Sequence, residues 1–202
     1  MRTSLLLLLA LVACGDSNNK TVADAPIDTA AAVPDCMTYC TNIQANCTGA
    51  MAQYPSMAQC MGTCGAFAVG TIADTTGDTL GCRLYHSGMP SQMTPATHCY
   101  HAGPGGTSAD GTTSQCGADC DGFCDIVQKT CVGMGAYATT DACKVACNAF
   151  ASTPPYKSAS TGNTRQCRLY HATNAAAMGQ TMVAAHCGHA TTTMNQMPCL
   201  TP

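Results

Sequence analysis

Cysteine spacing constrains this chain more than any other feature. Of its 17 cysteines, Cys14 stands apart and the rest fall into two runs of eight. The first run is Cys36, Cys40, Cys47, Cys60, Cys64, Cys82, Cys99 and Cys116. The second is Cys120, Cys124, Cys131, Cys143, Cys147, Cys167, Cys187 and Cys199. The opening steps are 4, 7, 13 and 4 residues in one run and 4, 7, 12 and 4 in the other. Such self-similarity marks an internal duplication, with repeats over 36–117 and 118–202 that can each close four bridges with none left over.

The same spacing predicts helices. Cys36, Cys40, Ile43 and Cys47 fall at i, i+4, i+7 and i+11, one stripe of an α-helix, and Cys120, Cys124, Val127 and Cys131 repeat it. Cys60, Cys64 and Phe67 form a second stripe, matched by Cys143, Cys147 and Phe150. "TGAMAQYPS" and "VGMGAYATT" between them carry helix breakers and N-cap residues. The expectation is an antiparallel hairpin bridged Cys36–Cys64 and Cys40–Cys60, then Cys120–Cys147 and Cys124–Cys143. A third helix opens at "TGDTLGCRLYH" and "TGNTRQCRLYH", with Asp78 and Asn163 as expected N-caps. On it Cys82, Tyr85, His86 and Met89 share a face, as do Cys167, Tyr170, His171 and Asn174. The fold class is mainly α: two tandem small disulfide-rich helical domains, each a hairpin plus a third helix, with long loops such as "AGPGGTSADGTTSQ".

Composition explains the need for staples. The chain has no Trp and no Glu, and four Leu lie beyond residue 13, so each repeat of about 80 residues buries little apolar surface. Four bridges at roughly 2–4 kcal/mol each supply what the core does not. The cysteines therefore need no enzymatic purpose. No Cys-x-x-Cys occurs, which removes thioredoxin-type redox pairs, zinc ribbons and haem attachment. No nucleophile elbow or phosphate loop is present either, and the reading is of a protein that is not an enzyme.

All six histidines repeat with the cysteines: "CRLYH" and "HCYHA" in the first copy, "CRLYH" and "HCGHA" in the second. His86, His98 and His101, then His171, His186 and His189, have the number and type for a zinc or copper centre. Met89 and Met93, and Met178, Met182, Met194 and Met197, lie close in sequence, and thioether with imidazole favours copper. The alternative is packing: each ring holds the third helix to the last segment through two hydrogen bonds, Arg83 and Arg168 being exposed or paired with Asp.

The amino-terminal stretch "MRTSLLLLLALVACGD" has one basic residue, Arg2, before an apolar run too short for a stable membrane span. Its end, Leu11-Val12-Ala13-Cys14, resembles the lipobox of bacterial lipoproteins. The resemblance implies a signal peptide over 1–13, cleavage before Cys14 and lipidation of that cysteine, with 14–35 as a polar tether. It also implies attachment to a membrane through the lipid. By analogy with lipoprotein sorting, Gly15 at the second mature position points to the outer membrane or cell surface of a Gram-negative-type bacterium. Without residues 1–13 the balance is seven basic against eleven acidic residues and no basic stripe, so nucleic acid is not an expected partner. The expected role is a structural or binding module of the cell envelope with a protein partner there, or else metal binding through the histidines.

Overall fold

The computed structural model describes residues 32–154, 161–177, 179, 181–192 and 198–200. Those residues belong to one compact unit. The 1–13 segment and Cys14 lie outside the described residues, as do Met178, Met194 and Met197.

Among the described residues the first copy runs α1 (Cys36–Asn46), a short 3-10 turn, α2 (Met57–Cys64), α3 (Leu80–Ser87), α4 (Met89–Met93) and α5 (Pro95–Ala102). The second runs α6 (Asp119–Thr130), α7 (Thr140–Asn148), α8 (Arg165–Ala176) and α9 (Val183–Ala190). The architecture is mainly helical, as the spacing predicts. The His-Cys-x-His segments, unassigned from sequence, are the helices α5 and α9.

Capping explains where the helices begin. Asp35 accepts from the Thr38 amide, Ser56 from Gln59 and Thr139 from Ala142. α3 and α8 start one residue later than expected: Thr79 accepts from the Cys82 amide at 3.1 Å and Thr164 from Cys167 at 3.2 Å. Asp78 and Asn163 are freed for another task. α2 and α7 stop before Phe67 and Phe150, so those rings leave the helical stripe and lie under buried guanidinium groups instead.

Arg83 and Arg168 are 0% and 2% exposed, so of the two expected alternatives, exposure or pairing with Asp, exposure is out for both and pairing with Asp holds for Arg83. Arg83 lies 3.8 Å above the Phe67 ring and pairs with Asp78 at 2.8 Å; Arg168 lies 4.1 Å above Phe150 and donates to Asn163 Oδ1 at 3.1 Å. The ring face attracts the cation once water is excluded. Each guanidinium also donates to a backbone carbonyl at the C-terminal end of the histidine helix, Gly103 for Arg83 and Ala190 for Arg168. A buried arginine thus fixes the third helix to the histidine helix, α3 to α5 and α8 to α9.

The eight bridges repeat one connectivity. Cys36–Cys64 and Cys40–Cys60 close the first hairpin, Cys120–Cys147 and Cys124–Cys143 the second. Cys47–Cys99 and Cys131–Cys187 tie the first helix of each copy to its histidine helix. Cys82–Cys116 and Cys167–Cys199 tie the third helix to the segment that ends the copy.

The copies pack on each other through α2 and α8 and through α6. Gln59 donates to Asn174 across the contact, and a Cβ on Gly62 would sit 1.6 Å from the Ala176 carbonyl oxygen. A Cβ on Gly122 of α6 would sit 1.9 Å from the Pro104 carbonyl oxygen of the first copy. Buried Asp119 is held by Thr107 from the first copy and Gln166 from the second.

Candidate metal centre

Each copy brings its three histidines together. His86 lies on α3 one turn after Cys82, and α5 carries His98 and His101 on either side of Cys99. His171 on α8 and His186 and His189 on α9 repeat this around Cys167 and Cys187. Every imidazole is therefore within four residues of a bridged cysteine, and the staples that stabilise the fold also fix the rings. The donor atoms of each trio all lie within 4.8 Å of one another.

In the first copy His86 Nδ1 is 2.8 Å from His98 Nδ1, and the two rings stack at 22°. The His101 ring stands edge-on to both, its centroid 5.1 Å from His86 and 5.6 Å from His98. In the second, His171 Nδ1 is 3.1 Å from His186 Nδ1 and 3.3 Å from His189 Nδ1. Stacked and edge-on rings recur, at 28° and 85° to His171. Two nitrogens on one tetrahedral zinc at about 2.0–2.1 Å lie roughly 3.3 Å apart. The second copy has that separation, and the first is contracted by about half an ångström.

Tautomers decide what this geometry can do. His86 Nε2 lies 3.0 Å from the Thr75 carbonyl oxygen, so Nε2 carries the proton and a neutral ring presents its Nδ1 lone pair to the cluster. A carbonyl on the outer nitrogen is the usual way a ligating imidazole is oriented. His101 Nδ1 is buried and has no hydrogen-bond partner among the described residues. In the second copy His171 Nδ1 faces two neighbouring ring nitrogens, and a single in-plane lone pair serves only one of them well. His86 makes a hydrogen bond at each ring nitrogen, but packing leaves His101 Nδ1 without one among the described residues, whereas one cation would accept the lone pairs of a trio together.

Charge state favours ligation. Burial, reinforced by His86 and His98, pushes His101 down to about 4. Burial also lowers His86, His186 and His189. These rings are neutral at pH 7, as a metal requires. The methionines do not join them in the first copy: Met89 and Met93 are 70% and 77% exposed. The break at Gly88 turns Met89 out of the face it was expected to share with His86, and Tyr85, half exposed, only edges that ring. Met182 is also exposed. What the described residues offer is imidazole alone.

Fold and clusters together define a tandem, disulfide-stapled helical module carrying one tri-histidine cluster per copy. Residues 10–116 match the family model described as the BfoA family C-terminal domain. That is more than half of the 202 residues, and the chain belongs to the BfoA family. The match ends on Cys116, so it takes in the whole first copy and leaves the second outside. No curated protein and no solved structure matches the chain.

Proposed function

We propose that the protein is a lipid-anchored envelope module that holds one divalent transition-metal ion, zinc or copper(II), in each copy. The observation that carries this is the convergence of three imidazoles, twice, with the His101 Nδ1 buried and unpartnered among the described residues. An imidazole-only set suits both ions and leaves a coordination position for water or an outside ligand. With all thiols of the copies engaged in bridges, the module serves as a binding element and not as a redox enzyme. The Leu-Val-Ala-Cys sequence and the polar stretch that follows support attachment through Cys14, and Gly15 next to it supports a site at the outer membrane or cell surface, beside envelope partners.

Zinc titration of the oxidised protein tests the reading. Two ions per chain are expected, falling to one in His98→Ala or His186→Ala and to none in the double variant. A protein that takes up no zinc, or whose stoichiometry is indifferent to these substitutions, would refute it. For the anchor, Cys14→Ala should shift the protein from the membrane to the soluble fraction, and unchanged partition would remove the lipid from the account.

A further inference from the structure

A second donor set shares one histidine with each cluster. The sulfurs of Cys82 and Cys116 and a ring nitrogen of His86 all lie within 4.8 Å of one another, and Cys167, Cys199 and His171 repeat the group. In the oxidised fold these sulfurs are bonded to each other and ligate nothing. We propose that each of these two bridges, once reduced, opens a two-cysteine, one-histidine zinc site that takes the ion from the tri-histidine cluster through the shared ring. The inference rests on the histidine reading only in that His86 and His171 serve both sets.

The local structure keeps the sulfurs near the ring without the S–S bond. Cys82 and His86 are four residues apart on α3 and face the same side. The Cys116 segment is tied independently: the Gly77 amide donates to Gln115 O at 2.9 Å and the Cys116 amide to Gly106 O at 2.9 Å. Gln115 Nε2 donates at 2.9 Å to the Thr75 carbonyl oxygen, the group that also receives His86 Nε2–H. In the second copy the Gly162 amide donates to Pro198 O at 3.1 Å, and Arg168 donates to Cys199 O at 3.2 Å. Neither Cys116 nor Cys199 lies in a helix, so opening these bridges leaves the hairpins stapled.

The chemistry balances with a phosphine or dithiol as reductant. Two electrons cleave the S–S bond and two protons are taken up to give two thiols. A phosphine is converted to its oxide by water oxygen, and a dithiol closes to its own disulfide. Zinc then displaces both thiol protons, and thiolate with imidazole is a set that binds it strongly. A small-molecule disulfide reverses the step: it takes the two electrons and two protons to become two thiols, the S–S bond re-forms, and the ion returns to His98 and His101.

Differential alkylation of the full chain tests this. The protein is partly reduced with a phosphine under native conditions, then treated with a maleimide with and without zinc, and each cysteine is followed by peptide mapping. Zinc should slow labelling of Cys82 and Cys116 at least tenfold in the wild type and in His98→Ala, but not in His86→Ala. Since His98→Ala removes the oxidised site, retention of protection there separates this proposal from the tri-histidine reading. As a measurement independent of the variants, cobalt(II) added to the reduced wild type should give sulfur-to-metal charge-transfer absorption that is absent from the oxidised protein. Labelling unaffected by zinc, protection that survives His86→Ala, or protection spread equally over Cys36, Cys40, Cys60 and Cys64 would overturn the proposal.

Discussion

His101 shows most clearly what single residues contribute. Its buried Nδ1 has no partner among the described residues, so it is a cost to the metal-free fold. His101→Leu should therefore leave metal-free thermal stability unchanged or raised, while abolishing the gain on adding zinc, about 2.7 kcal/mol at a hundredfold excess over Kd. With its folded value near 4 against about 6.5 unfolded, the ring also makes the metal-free fold lose stability as pH falls through that window. Asp125 behaves in the opposite sense. Burial, with Asp78 nearby, raises its carboxyl to about 6, so the proton is held more tightly folded than unfolded. The cost of its charge grows as pH rises from about 3.9 through 6 and is constant above. Asp125→Asn should add about 1 kcal/mol at pH 7.5, a figure reduced for partial exposure, and nothing at pH 3.5, as denaturant melts at the two values would read. None of this was legible in the sequence. The repeat of "CRLYH" flags Arg83 and Arg168 with His86 and His171, but burial of a cation depends on the Phe67 and Phe150 rings that close over it from a distant segment.

At the level of helices, cysteine periodicity specified the hairpins because a bridge needs its two Cα atoms about 5.7 Å apart, and facing i, i+4 pairs meet that need twice. Helix ends were less readable. Asp and Thr both cap, and Thr79 takes the position because Asp78 is drawn to Arg83. The join between copies could not be read from one-copy periodicity at all. It depends on Gly62 and Gly122, whose counterparts in the other copy are Val145, 73% exposed, and exposed Thr38. The glycines stand where backbones touch, and their replacements stand where nothing packs, so the contact is used once. Gly62→Ala should cost several kcal/mol, since backbone must move, whereas Val145→Ala should change stability by less than about 0.5 kcal/mol. Equal effects in thermal melts would argue against the packing of α2 on α8.

The whole molecule repeats a stapled scaffold, and with it a cluster of imidazoles in each copy. The histidine trios were legible as candidates because all six histidines repeat, yet the sequence left packing and ligation both open. Orientation was not legible: the Thr75 carbonyl beside His86 Nε2 is eleven residues away across a loop, and no spacing rule points to it. Copper with methionine was the reading that proximity in sequence favoured, and the turn at Gly88 exposes Met89 instead. X-ray absorption of the oxidised protein loaded with zinc reads the donor set directly. The account predicts about three imidazole nitrogens at roughly 2.0–2.1 Å with no sulfur shell, lost when His98, His101, His186 and His189 are all replaced by alanine. A sulfur shell near 2.3 Å in the oxidised protein, or zinc scattering without imidazole, would contradict it.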